Sequence, residues 1–268
     1  MDVKELERLI ATDQALTANL LHLANLAYFV SSQPCTTVSA AIMRVGFKQL
    51  RSTLYSAAFS GTLSRRLAGY QLGPGELWRH SVAVAWASRW LGQQTRMNRH
   101  GPLGPQDLEE LYIAGLLHDI GKLILNQYIR ADYRALMEQM SHEGKSLVEI
   151  EAATLGMDHA TVGAEMAYRW QLPPRLADII GNHHSPTLAQ TAPHLAAMVQ
   201  LADTLCLRLG IGLTPRIMPD ISEASLALIG LAPAQVETYA QALRGLMATV
   251  TDFFNRTHGA SWQKAMGA

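Results

Sequence analysis

Apolar side chains return every three or four residues along almost the whole chain, and alternating apolar–polar runs are scarce. That spacing covers one face of an α-helix at 3.6 residues per turn; a strand would show a period of two. Val38, Ala41, Ile42 and Val45 illustrate the pattern, and Ala and Leu dominate. An all-α fold is therefore expected. With 268 residues, 49% of them hydrophobic, the chain can bury a sizeable core as one large domain or two small ones. It contains no run of about 18 apolar residues, so no membrane-spanning helix is expected.

Breaking residues divide this pattern. Thr12 or Asp13 is placed to cap a helix through Leu16, Leu20, Leu23 and Ala27. Pro34 interrupts the chain, and the short helix marked by Val38 to Val45 should stop at Gly46. A further helix is expected from about Leu50 to Leu67. Gly69, Gly73, Pro74 and Gly75 then form the clearest break, and a subdomain boundary is expected there, separating residues 1–72 from 73–268. Beyond it, helices are expected from Glu76 to Leu91, from Gln106 into LLHDIGKLIL, and near 131–143, 146–155, 158–170, 174–183, 193–209 and 233–256. Trp78, Trp86, Trp90 and Trp170 recur at helical spacing and read as core, as do Met137, Met140, Met157 and Met166.

Charge excludes some functions. Lys+Arg and Asp+Glu both number 22, so no basic surplus drives direct nucleic-acid binding. Cys35 and Cys206 lie far apart without a C-x-x-C pair, which predicts two buried thiols in a reducing, cytoplasmic setting. The charged, amphipathic start MDVKELERLI is unlike a secretory signal. Neither a G-x-x-x-x-G-K-[ST] phosphate loop nor a G-x-S-x-G elbow is present.

Metal-capable side chains supply the chemistry. Glu76 and His80 share a helical face at i and i+4. His118 and Asp119 are adjacent, as are His183 and His184; His159 lies in GMDHATVGAE and Asp203 in VQLADTLC. Singly, each has an ordinary explanation: a hydrogen-bonded histidine, a buried aspartate, or, for Glu76, a carboxylate at a helix N-terminus. Together they differ, because an Asp among apolar neighbours and a His-Asp pair inside LLHDIGKLIL need partners once buried. Imidazole and carboxylate without thiolate suit iron, manganese, zinc or magnesium. The ligand supply suffices for two ions bridged by a carboxylate such as Asp119, able to polarise a phosphoryl oxygen and activate water. Lys122 follows Asp119 by three residues. It is either a cation for a substrate phosphate or a solvated helix residue.

The order His, His-Asp, His, His-His, Asp resembles the HD superfamily of metal-dependent phosphohydrolases. His80, His118, Asp119 and Asp203 match its core, while His159 and His183–His184 match the extra ligands of multi-metal members such as the HD-GYP cyclic-di-GMP phosphodiesterases. Glu76 resembles the further carboxylate of trinuclear sites. A narrower resemblance is to the HDOD family. It is carried by RLIATDQALTANLLHLANLAY, AAIMRVGFKQLRSTLYSAAF, ELWRHSVAVAWAS, AGLLHDIGKLIL, HATVGAEMAYRWQLPPRLADIIGNHH and LAAMVQLAD in order, over roughly residues 5–210. The resemblance implies an HD-like helical bundle in residues 73–268 behind an N-terminal HDOD subdomain in 1–72. Nothing after His184 resembles a Gly-Tyr-Pro element, the chain reading SPTLAQ, which argues against cyclic-di-GMP hydrolysis. The sequence starts within the family pattern, as a fragment of a longer signalling protein would.

Three functions follow. The first is a signalling module that senses a ligand or relays state to a protein partner, with two or more divalent ions, iron or manganese favoured, in a structural or ligand-capturing role. The second is a metal-dependent phosphohydrolase acting on a nucleotide or phosphoester, with Asp119 and Lys122 catalytic. The third is a helical scaffold with unrelated histidines.

Overall fold

A computed structural model describes residues 35–94, 103–129, 144–212 and 221–257, together with Ile10, Thr17, Leu20, Leu21 and Ala24. Among these residues the only β feature is an isolated bridge between Leu67 and Leu72, and the rest is helix and loop, so the fold is all-α. The chain divides into two compact units, one formed by 1–61 with 245–268 and the other by 62–244. The Gly/Pro break at 69–75 lies inside the second unit.

In the first unit, α1 (Val38–Leu63) contains a kink at Gly46, where φ is 80° and ψ is 156°. A side chain resists that conformation and Gly accepts it, so the sequence stop at Gly46 becomes a bend between two helical stretches. Ala41, Ile42, Val45 and Leu50 are buried, as are Ile10, Leu20 and Ala24. Arg44 Nη1 donates to the Ala24 carbonyl at 3.3 Å.

The second unit carries α2 (Glu76–Gln94), α3 (Pro105–Leu117), α4 (Lys122–Leu125), α5 (Leu147–Leu155), α6 (His159–Arg169), α7 (Pro174–Gly181), α8 (Pro193–Arg208) and α9 (Glu223–Leu228), and most of its length precedes the final helix, α10 (Pro233–Thr257). Local chemistry sets the starts. Pro105, Pro174 and Pro193 occupy first-turn positions that need no N–H. Ser146 and Glu149 form a capping box on α5, and the Asp158 carboxylate accepts from the Thr161 N–H at 2.7 Å on α6.

Helix α8 is buried continuously from Leu195 through Cys206 and packs on α2, α3, α7 and α9, as a helix apolar around its circumference should. Each fully buried Leu, Val or Met there contributes about 1.5–3 kcal/mol. Close α2–α3 packing requires Gly115, since a Cβ at that position would lie 2.8 Å from Ala85 Cα and 2.9 Å from the Val84 carbonyl oxygen.

Some expectations need correction. The helix expected to reach Leu67 ends at Leu63, because the chain turns back through the Leu67–Leu72 bridge with Gln71 at a φ of 60°. The helix expected from Gln106 does reach LLHDIGKLIL, ending there at Leu117, and His118 to Gly121 form a turn. Trp170 and Met157, expected in the core, are 43% and 48% exposed because both fall just outside the ends of α6. The helix expected near 131–143, with Met137 and Met140, lies outside the described residues. Among the described residues no helix is long and apolar enough to cross a membrane.

Candidate metal centre

Five helices and the turns between them aim seven of the candidate side chains at one place in the second unit. His80 comes from the second turn of α2 and Asp203 from the middle of α8. His118 and Asp119 sit in the α3–α4 turn, His159 opens α6, and His183 and His184 follow the end of α7. Three groupings have donor atoms close enough to hold an ion: His80, His118 and Asp203; His118, Asp119 and His183; and His159, His183 and His184. His118, His159 and His183 are fully buried, with His80, Asp119 and Asp203 nearly so.

The turn owes its position to Gly121. A Cβ there would lie 2.0 Å from the His159 carbonyl oxygen, so only glycine allows the His118–Gly121 turn to press against the start of α6. Gly212 has the same role beside His80: its φ is +115°, and a Cβ would stand 2.5 Å from the imidazole Nδ1.

One ring nitrogen of each of four histidines is anchored outside the centre. Nδ1 of His80 donates to the Ile211 carbonyl at 2.9 Å, Nδ1 of His118 to Gly115 at 2.8 Å, and Nδ1 of His183 to Ile180 at 2.7 Å. Nδ1 of His159 donates to the Glu151 carboxylate at 2.6 Å. A carbonyl only accepts, so these bonds assign the proton to Nδ1 and turn the Nε2 lone pair inward. That arrangement is how metal-bound histidines are held.

The inward atoms confront each other. His80 Nε2 stands 3.0 Å from Asp203 Oδ1, His159 Nε2 is 3.2 Å from Asp119 Oδ1, and His159 and His184 bring Nε2 atoms within 2.9 Å. His118 Nε2 lies 3.5 Å from Asp119 Oδ2 and 3.8 Å from Asp203 Oδ1. Lone pairs at such distances repel unless a proton or a cation lies between them. Moreover His118 Nε2 and His183 Nε2 are buried without a hydrogen-bond partner, which is costly for polar atoms. Ligands about 2.1 Å from one ion lie about 3.0 Å apart at right angles and about 3.4 Å apart at the tetrahedral angle. The separations of 2.9–3.5 Å match those edges and the 3.8 Å between His118 and Asp203 is somewhat wider, so the donor set fits divalent ions.

Protonation follows the same geometry. Burial opposes charge on Asp119, yet the Lys122 ammonium and the His118 and His159 rings hold it well below the usual carboxylate range. Burial also works against a charged His159, but Glu151 overcomes it and lifts the imidazole to about 9. His183 is pushed down to about 3 by burial and by His118 and His159, and His184 well below its usual value by burial and His183. His80 is raised, Asp203 prevailing over burial.

Lys122 is not a solvated helix residue. It is 7% exposed, and its Nζ donates to Asp119 Oδ2 at 2.7 Å. Glu76 stands apart from the groupings: its Oε2 accepts from the Gly73 N–H at 2.7 Å, the helix-start arrangement open to it from sequence. Sequence reasoning overlooked Glu151 and Tyr70. The available signal was a second glutamate inside the apolar run LVEIEAATL, where Glu149 already serves the cap.

A family model for the HDOD domain matches residues 1–186. An uncharacterised protein of Treponema pallidum is 27% identical over 186 residues, which are 69% of this chain and 34% of that protein's length. The fold matches an HDOD domain protein of unknown function from Geobacter sulfurreducens at a TM-score of 0.72 and 23% identity, covering 96% of this chain and 87% of that one. It also matches a candidate phosphohydrolase from Shewanella amazonensis at 0.69 and 23%, with the same coverages. A candidate signal transduction protein from Marinobacter aquaeolei matches at 0.70 and 19%, covering 97% of this chain and 56% of that one. On the family match over most of its length, the chain belongs to the HDOD domain family.

Proposed function

We propose that this chain is a signal-transduction module built on a two-ion site, which captures a nucleotide or phosphoester ligand and relays its state to a protein partner. The observation that carries the reading is the convergence of inward Nε2 atoms on Asp119, with Nδ1 of four of the rings anchored outside. His80, His118 and Asp203 would hold one ion, and His159, His183 and His184 the other. Asp119 would serve both, its Oδ2 facing His80 and His118 and its Oδ1 facing His159. A histidine-rich set without thiolate favours iron or zinc over magnesium, which prefers oxygen and water, and the two carboxylates leave manganese an alternative. Bound ions would supply Lewis acidity toward a phosphoryl oxygen. The residues' own part is to fix five helices around that point and to hold Asp119 ionised through Lys122.

The two-sided placement of Asp119 favours a second reading, a phosphohydrolase, because a carboxylate shared by two ions is the frame for in-line displacement at phosphorus. Elemental analysis of untagged protein prepared without chelator tests the common premise. Two equivalents of a transition metal per chain are expected, with fewer in Asp119→Ala at unchanged helicity. Near-zero metal in the fully helical wild type overturns both readings. Phosphoester turnover abolished in Asp119→Ala would establish the hydrolase; nucleotide binding without turnover would establish the module.

A further inference from the structure

Glu151 is 0% exposed, and among the described residues its carboxylate accepts three hydrogen bonds. Its Oε2 accepts from both the backbone N–H of His159, at 2.8 Å, and the ring Nδ1 of His159, at 2.6 Å. Its Oε1 accepts from the Tyr70 hydroxyl at 2.8 Å. One carboxylate therefore fixes two separate features of His159: its place at the first residue of α6 and the rotation of its ring. Tyr70, itself 2% exposed, fixes the carboxylate in turn. The other anchored rings are held differently, since His80, His118 and His183 each lean on a backbone carbonyl. A side-chain anchor can be removed by substitution, and here it serves only one of the two ion positions.

We propose that Glu151, steadied by Tyr70, is a positioning residue that governs ion occupancy at the His159, His183 and His184 position independently of the His80, His118 and Asp203 position. The proposal rests on the two-ion reading above. Without Glu151, the His159 ring loses the acceptor that orients Nε2 toward Asp119 and His184, while the anchors of His80 and His118 are untouched. A glutamine could keep its carbonyl oxygen toward the two His159 donors and turn its amide toward the Tyr70 oxygen, which can accept. Gln at 151 should therefore preserve much of the positioning that Ala removes.

The test is titration of chelator-stripped protein with Co²⁺ alone, read by the visible absorption of the bound ion and by elemental analysis after desalting. Wild type should take up two equivalents. Glu151→Ala should retain one, with the wild-type affinity and spectrum of the His80 position, and bind the second about 10–100-fold more weakly. Tyr70→Phe should weaken the same equivalent to a smaller degree, and Glu151→Gln should restore most of it. His80→Ala should lose the opposite equivalent. If Glu151→Ala and Tyr70→Phe both bind two ions as wild type does, the positioning role is overturned while the two-ion reading stands. Equal weakening of both ions in Glu151→Gln and Tyr70→Phe also overturns it, by showing a general structural role. A wild type that binds fewer than two ions removes the reading beneath the proposal.

Discussion

Gly121→Ala isolates how much the centre depends on backbone approach. Gly121 has φ −62° and ψ −24°, which any residue adopts, so conformational freedom is not why glycine stands there. Space is the reason. The added Cβ would lie 2.0 Å from the His159 carbonyl oxygen, 2.8 Å from Gly163 N and 2.9 Å from the His159 carbonyl carbon. All three are backbone atoms and cannot rotate aside. Ordinary contact begins near 3.4 Å, so the turn and α6 must separate by over 1 Å. Overpacking of this kind costs about 1–3 kcal/mol. Restricting the unfolded chain offsets about 0.4–1 kcal/mol of it. The net should be roughly 1–2 kcal/mol, or several degrees of Tm in a chain this size. The chemical effect should be larger, because the separating elements carry Asp119 and His159, whose facing atoms stand 3.2 Å apart. Denaturant unfolding of the stripped protein and metal content of the untreated protein measure the two effects. Gly61→Ala is the control: Gly61 is exposed in α1, nothing lies within 4 Å of its Cβ position, and alanine there should stabilise by about 0.5–1 kcal/mol. A Gly121→Ala protein with wild-type midpoint and full metal content would refute the reasoning.

Further outcomes are expected. His159, lifted to about 9 by Glu151, is protonated at neutral pH in stripped protein, so metal uptake at pH 7.5 should release a proton and affinity should rise with pH up to about 9; calorimetry in buffers of different ionisation enthalpy reads the release, and none would count against the assignment. The stability of the stripped protein should peak near pH 6.5. The raised His159 contributes fully below the unfolded value of about 6.5 and loses that contribution as pH climbs through 9, whereas the depressed His183 contributes fully above 6.5 and loses it as pH falls toward 3, each worth up to a few kcal/mol. A flat denaturation midpoint from pH 5 to 9 would contradict both shifts. Arg175→Ala removes ion pairs to Asp107 and Glu110 at 2.8 and 2.6 Å, leaves the buried Glu110 carboxylate without that partner, and should cost about 1–3 kcal/mol, with metal content unchanged.

The helical character and most helix positions were legible because the buried faces repeat at helical spacing and proline or a cap marks most starts. The candidate ligands were legible for a different reason: imidazole and carboxylate inside apolar runs have few ways of being satisfied. What the sequence concealed depends on distance in space. Lys122 at i+3 from Asp119 looked equally suited to solvent, and only the end of α3 at Leu117 turns its stem inward to Asp119. Glu76 shares a helical face with His80, but its carboxylate reaches back to Gly73. Glu151 and Tyr70 are 81 residues apart, so no local pattern announces their bond. Nothing in the sequence around Gly121 and Gly212 says why glycine stands there; the reason lies in the backbone and ring that press on them.

Charge balance connects the centre to the kind of ligand it should attract. Asp119, Asp203 and Glu151 are buried carboxylates, each held ionised by its neighbours. Lys122 is a buried cation stabilised by Asp119, and Glu151 and Asp203 favour protons on His159 and His80. Three negative groups thus face the Lys122 ammonium and a protonated His159, with Asp203 favouring a proton on His80, so the buried site without metal is largely compensated, as a low-dielectric interior requires. Two divalent ions would displace the proton of His159 and any on His80, and with Lys122 and the three carboxylates would leave a surplus of two positive charges. Such a surplus is costly in the interior unless an anion enters with the ions. A phosphate group or hydroxide supplies that charge, and a neutral ligand does not. With two ions bound, the composition of the centre would couple metal uptake to anion capture, a coupling that the proposed ligand-sensing module and phosphohydrolase would both use.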